Sequence, residues 1–200
     1  MSAIERLPSL RDEPPMDEAR FLKFLEGRSE DERWELIDGK PIQMMTPASK
    51  THNRIAANLE RLLNRALENA PEKLDALREV PLAPTKDIYF RAIADLAVVS
   101  LNDERTEDDR YFFGRFFLAA EVLSATNTLD HIRLKRHRYA ECAACLYVLI
   151  VAQTDVAVEV WSRVANWEGR VLRQLDDRID LPELGFSCAV RDLYTNTDFA

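Results

Sequence analysis

Apolar positions fall into two rhythms along the chain, helical stripes and strand-like runs. Phe21, Leu22, Phe24 and Leu25 predict a short helix over Asp17–Glu26 that stops at Gly27. Within Arg33–Met45, Trp34 and Leu36, then Ile42 and Met44, alternate on either side of Asp38-Gly39, a dipeptide suited to a tight hairpin turn. A long helix is predicted from Thr46 to Asn69, where Ile55, Leu59, Leu62, Leu63, Ala66 and Leu67 form one stripe before Pro71 ends it. Strands are predicted over Ala76–Leu82, Ile88–Ser100 and Phe116–Ser124, then a helix over Asn127–Ala143. Strands over Leu146–Gln153, Asp155–Val164 and Trp167–Leu175 follow, and Leu181–Tyr194 closes with a short helical turn. This order predicts a mixed α/β layer with strand extensions. Residues 1–16, with Pro8, Pro14 and Pro15, read as an arm ahead of one domain over 17–200.

Composition narrows the classes of function. The 200 residues are 46% hydrophobic and 31% charged, as in a globular protein with one well-filled core. Lys and Arg number 27 against 35 Asp and Glu, a net charge of −8. Such a chain binds nucleic acid poorly unless it keeps a local basic face or recruits cations. With five glycines and neither a dinucleotide fingerprint nor a P-loop motif, backbone cradles for phosphate are not expected. The longest nearly apolar run, Cys142–Ala152, falls well short of the roughly 20 residues that span a bilayer. The opening MSAIERLPSLRDEPP has no apolar centre, so the expected location is the cytoplasm. Cys142 and Cys145 form a CxxC at the end of a predicted helix, which reads as a pair of small buried thiols.

Two acids carry the candidate chemistry because their neighbours are apolar. Asp95 lies within AIADLAVV and Glu121 within LAAEVL. A carboxylate inside a central strand is costly to bury unless it is paired, hydrogen-bonded or bound to metal. Neighbouring strands could aim both at one point, and such hard oxygen ligands suit magnesium or manganese; at strand ends both could instead be solvated or paired with arginine. On the following helix the apolar stripe is Leu129, Ile132, Tyr139, Ala140 and Ala143. Lys135 falls on its edge and Arg136 nearer its centre, where either could reach solvent. A lysine beside two metal-binding acids would stabilise charge on a phosphate. Arg133, Lys135, Arg136 and Arg138 are the most basic stretch of the chain.

The series WELIDGKPIQMMTPASKTHNRI, IADLAVV and AAEVLSATN, then Lys135 with Tyr139 four residues on, then LYVLIV, resembles the Uma-type restriction endonuclease family of the PD-(D/E)XK nuclease superfamily. The likeness runs over roughly residues 17–195. It implies a restriction-endonuclease-like α/β core of about four mixed strands flanked by helices, with the hairpin before it and extra strands after it. It also implies divalent-metal-dependent hydrolysis of DNA with Mg²⁺ or Mn²⁺. Asp95 then matches the acid of "PD", with Ala94 in place of its proline; Glu121 matches the second metal-binding acid, and the Val122 carbonyl a further ligand. Lys135 matches the family's lysine, displaced onto the helix, and His52 a histidine typical of the family. Glu79 and Tyr139 are candidates for supporting roles. The alternative is a catalytically silent nuclease fold that serves binding or assembly, for which the charge of −8 and the acidic Asn102–Arg110 stretch speak. The aromatic cluster Tyr111, Phe112, Phe113, Phe116 and Phe117 reads as a buried strand or as the centre of a homodimer contact.

Overall fold

Nine residues of alternating and then continuous apolar character, Ala92–Ser100, form the strand around which a computed structural model of the protein is built. Residues 14–29, 31–44, 48–84, 86–101, 111–123 and 129–200 are described; most of the proline-bearing arm, Thr46-Pro47 and the acidic 102–110 stretch lie outside them. In chain order the elements are α1 (Glu18–Glu26), β1 (Trp34–Ile37), β2 (Lys40–Gln43), α2 (Lys50–Leu67), β3 (Leu74–Leu82), β4 (Ala92–Ser100), β5 (Phe116–Val122) and α3 (Leu129–Glu141). There follow β6 (Tyr147–Val151), β7 (Val158–Ser162), β8 (Gly169–Leu172), β9 (Arg178–Leu181), a 3₁₀ turn (Pro182–Leu184), β10 (Phe186–Ala189) and α4 (Val190–Leu193).

Six strands make the central sheet in the order β3-β4-β5-β6-β7-β8, the expected mixed core with strands added after it. Only β5 and β6 run parallel, because α3 crosses between them; the other neighbours are antiparallel. One face packs on α2, whose Ile55, Leu59, Leu63 and Leu67 meet Leu96, Val98, Leu118 and Leu149. Each such leucine stabilises the fold by roughly 1.5–3 kcal/mol relative to exposure. The other face packs on α3 and the hairpin, through Tyr139, Cys142, Ile37 and Phe90 against Ala97, Val99, Ala119 and Val148.

Several expectations shift for local reasons. Ile88–Arg91 is not strand: Asp87 accepts from the Tyr89 N–H, and Arg91 makes only an isolated bridge to Leu36. The strand expected over Trp167–Leu175 shortens to β8 because Asn166 and Trp167 both take positive φ. The β9–β10 hairpin was missed, since its inward Ile179, Leu181, Phe186 and Cys188 alternate with charged or small residues over only four positions a strand. Leu129 and Ala143, placed on the α3 stripe, are exposed. The cysteines are free and buried, and burial raises the Cys145 thiol well above its ordinary range. Among the described residues no helix is long and apolar enough to cross a membrane.

The β3 margin of the sheet is covered by one side chain and one stretch of main chain. The Asn64 amide accepts from the Ala76 N–H at 2.7 Å and donates to the Ala76 carbonyl at 3.0 Å. Farther along, Phe113 donates to Pro81 and accepts from Ala83. Both devices remove open backbone groups from an edge strand.

The hairpin turns on Asp38 (φ 49°) and Gly39 (φ 74°), a pairing that matches the strand twist. Gly39 is required twice over: its φ is left-handed, and a Cβ there would lie 2.4 Å from the Pro15 Cβ. Gly39→Ala is therefore expected to destabilise the protein by about 2 kcal/mol. Urea unfolding measures this, and an unchanged midpoint contradicts it.

Candidate active site

Strands β4 and β5 pair from Val99–Phe116 to Leu96–Ala120 and then part. At this fork the backbone groups that a ladder would satisfy are taken by side chains. Opposite Ile93 on β3 stands Pro81, which has no N–H, and the Ile93 N–H and carbonyl both turn towards the fork. The N–H donates to Glu35 Oε1 at 2.8 Å, and the carbonyl accepts from Lys135 Nζ at 2.8 Å. Across the gap the Val122 N–H donates to Asp95 Oδ2 at 2.7 Å.

The fork gathers residues from five elements. Asp95 Oδ2 also meets His52 Nε2 at 3.2 Å; His52 lies in the first turn of α2, where Ser49 caps the helix by accepting from the His52 N–H. Glu121 Oε1 accepts from Lys135 Nζ at 2.8 Å and from the Tyr139 hydroxyl at 2.7 Å. Lys135 and Tyr139 are one turn apart on α3 and both are buried. Lys135 thus sits at the centre of the inward face. Arg136, expected nearer that centre, instead stacks its guanidinium 3.8 Å over the Trp161 ring.

Charges this close, in so little water, reset one another. Burial pushes the Glu121 carboxyl up to about 8, with Asp95 and Glu35 adding to the effect and Lys135 opposing it. Burial works against the Lys135 ammonium, but Glu121, Glu35 and Asp95 more than offset it, so the amine stays protonated. Burial would raise Glu35 too, yet Lys135, the His131 side chain and the Ile93 N–H together bring it down to about 2. Tyr139 is raised well above its ordinary value by burial and by Glu121 and Glu35. His52, despite burial, is raised by Asp95, Glu121 and Glu79; its Nδ1 is buried without a hydrogen-bond partner among the described residues.

Asp95, Glu121, Val122, Lys135, Tyr139 and His52 are thus brought together. Glu79 is not. It lies on β3 between the pairs Arg78–Leu96 and Val80–Ala94, has φ 55°, and turns its exposed carboxylate to Arg33 at 2.8 Å. Sequence reasoning missed Glu35 and His131, although Glu35 stands in WELI as an acid among apolar residues, the same signal that marks Asp95 and Glu121. His131 Nε2 lies 3.4 Å from Glu35 Oε2.

The depressed Glu35 carboxyl stabilises the folded state above about pH 4.5, and that contribution is lost as pH falls from there towards 2. It amounts to about 3 kcal/mol. Wild type is expected to lose stability more steeply over that window than Glu35→Gln does, as followed by urea unfolding against pH; parallel curves contradict it.

Comparison with known proteins adds three findings. The family described as "Uma2: Putative restriction endonuclease" matches residues 19–191. A crystal structure titled as that of "a putative nuclease belonging to DUF820" from Anabaena variabilis superposes with a TM-score of 0.75. It is 18% identical, with 90% of this chain and 98% of that one covered, a likeness of fold. No curated protein matches the chain.

Proposed function

Because the chain belongs to the family described as "Uma2: Putative restriction endonuclease", we propose that it is a divalent-metal-dependent nuclease that hydrolyses phosphodiester bonds of DNA at the β4–β5 fork. The observation that carries this reading is the meeting of Asp95 and Glu121 at that fork, close enough for Asp95 to raise the Glu121 carboxyl, with Lys135 bonded to Glu121. Residues 17–200 form the unit that carries the reaction, behind an arm over 1–16.

The donor chemistry fits magnesium or manganese. Asp95 Oδ1 and Glu121 Oε2 have no hydrogen-bond partner among the described residues, and with the Val122 carbonyl they offer hard oxygen donors. Among the described residues no three His, Cys, Asp or Glu side chains form a closed cage. Two carboxylates and a carbonyl suit an ion that keeps several waters, unlike structural zinc. Such an ion supplies a water of lowered pKa and neutralises charge on the scissile phosphate.

The side chains do the positioning. The Val122 N–H and His52 hold Asp95 Oδ2, so Oδ1 is the oxygen that would coordinate the ion. Lys135 places a fixed positive charge beside Glu121, and its field offsets negative charge that develops on the phosphate in a poorly hydrated site. Tyr139 fixes the same Glu121 oxygen from α3. His52 retains a proton to higher pH than a free imidazole and faces Asp95 with it. Glu79 adds to that effect from the rim.

A second reading, a silent nuclease fold that binds or assembles as a homodimer, draws on the net charge of −8. The aromatic cluster lends it less, since Phe116 is fully buried and Phe113 and Phe117 pack against the core.

Nicking of plasmid DNA and cleavage of single-stranded DNA with Mg²⁺ or Mn²⁺ separate the two. Asp95→Ala and Glu121→Ala are each expected to reduce the rate by ~100-fold or more. Wild-type rates in both variants, or no cleavage by wild type, remove the nuclease reading.

A further inference from the structure

Glu35 has no task in the family match or in the sequence pattern, yet it is more enclosed than Glu121, at 1% exposure against 5%. An ammonium has three N–H donors. Those of Lys135 are taken by Glu35 Oε1 at 2.9 Å, Glu121 Oε1 at 2.8 Å and the Ile93 carbonyl at 2.8 Å, and its side chain is 3% exposed. No donor is left over for a phosphate oxygen. Lys135 therefore influences the reaction through its field and through Glu121, and its placement is divided between two acids.

Glu35 is itself immobilised. The Ile93 N–H holds the oxygen that Lys135 shares. Its neighbour Leu36 exchanges two backbone hydrogen bonds of 2.8 Å with Arg91. At the hairpin turn Arg138 of α3 reaches Asp38 at 3.1 Å and Asp87 at 3.3 Å. The hairpin is thus tied to the residue ahead of β4 and, at its turn, to α3, close to the Glu35–Lys135 contact.

We propose that Glu35 is a positioning residue of the site: it shares the Lys135 ammonium with Glu121, so that Glu121 is not monopolised by the lysine and can turn to a divalent cation. This rests on reading Asp95 and Glu121 as the acids that hold the ion. With Glu35 present, three carboxylates face one ammonium around the fork. Glu35→Gln leaves two, and Lys135 then pairs with Glu121 alone, in competition with the cation. Glu35 touches neither substrate nor ion and acts through Lys135.

The test uses the full chain as wild type, Glu35→Gln, Glu35→Asp, Lys135→Met and the Glu35→Gln/Lys135→Met double variant. In metal-free protein, the Lys135 ammonium should give a slowly exchanging ¹H–¹⁵N signal that Glu35→Gln shifts and broadens. Calorimetric titration with MnCl₂ should show binding weakened roughly tenfold in Glu35→Gln. Glu35→Asp, which keeps the charge, should recover most of that loss, a rescue that a merely space-filling role would not produce. The double variant should bind no more weakly than Lys135→Met, because effects that run through one residue do not add. If Glu35→Gln does not fold, Glu35→Ser, a neutral variant small enough to admit a water, and its double variant with Lys135→Met carry the same comparison. An unchanged ammonium signal, wild-type Mn²⁺ affinity in Glu35→Gln, or full additivity overturns the proposal. Wild type that binds no Mn²⁺ while its ammonium signal still responds to Glu35→Gln identifies a failure of the metal-site reading instead, and reduces Glu35 to a structural partner.

Discussion

Where two strands of a sheet diverge, their facing amides and carbonyls lose their partners, and a buried orphan of that kind costs about as much as a lost hydrogen bond. The fork between β4 and β5 resolves this with ionisable side chains: Glu35 and Lys135 on Ile93, and Asp95 on Val122. The solution binds structure to charge. The groups that satisfy the backbone are the same ones that would hold or steer a cation, so the site cannot be dismantled without exposing unsatisfied peptide groups in the core. Burying acids costs energy unless other charges compensate, and here one ammonium is shared by two of them, offsetting burial at Glu35 with help from His131 and the Ile93 N–H but only in part at Glu121.

That coupling explains why a helix of weak amphipathic character is held where it is. The inward face of α3 reads Ile132, Lys135, Tyr139, and the middle member is a cation. Apolar burial alone would not fix its rotation. Its orientation follows from the lysine at the fork, from Tyr139 on Glu121, and from Arg138 reaching the hairpin turn. Arg91, buried and bonded to Glu18 through both its Nε and one terminal nitrogen, ties α1 to the same assembly.

Much of this was legible in the chain. The Asp38-Gly39 turn, the α2 stripe and the dense apolar runs of β4, β5 and β6 each carry a local signal strong enough to place an element. The two acids inside apolar runs stood out because a strand interior tolerates a charge only with compensation. What escaped was relational. Nothing near Glu35 says that it will meet a lysine a hundred residues away, and four-residue strands such as β9 and β10 are too short for a period to register. Glu79 was named as a candidate for a supporting role, but its backbone turns left-handed at that position and carries the carboxylate to solvent.

The amide of Asn64 laid along β3 has an architectural result as well. A nine-residue strand at the side of a sheet would otherwise invite another chain to continue the ladder. With that flank covered at Ala76 by Asn64 and around Leu82 by Phe113, growth of the six-stranded sheet is directional: of its two outer strands, β8 is the one without such cover among the described residues. Any added strand, whether inserted by design or donated by a neighbour, has its berth there, on the side remote from the fork.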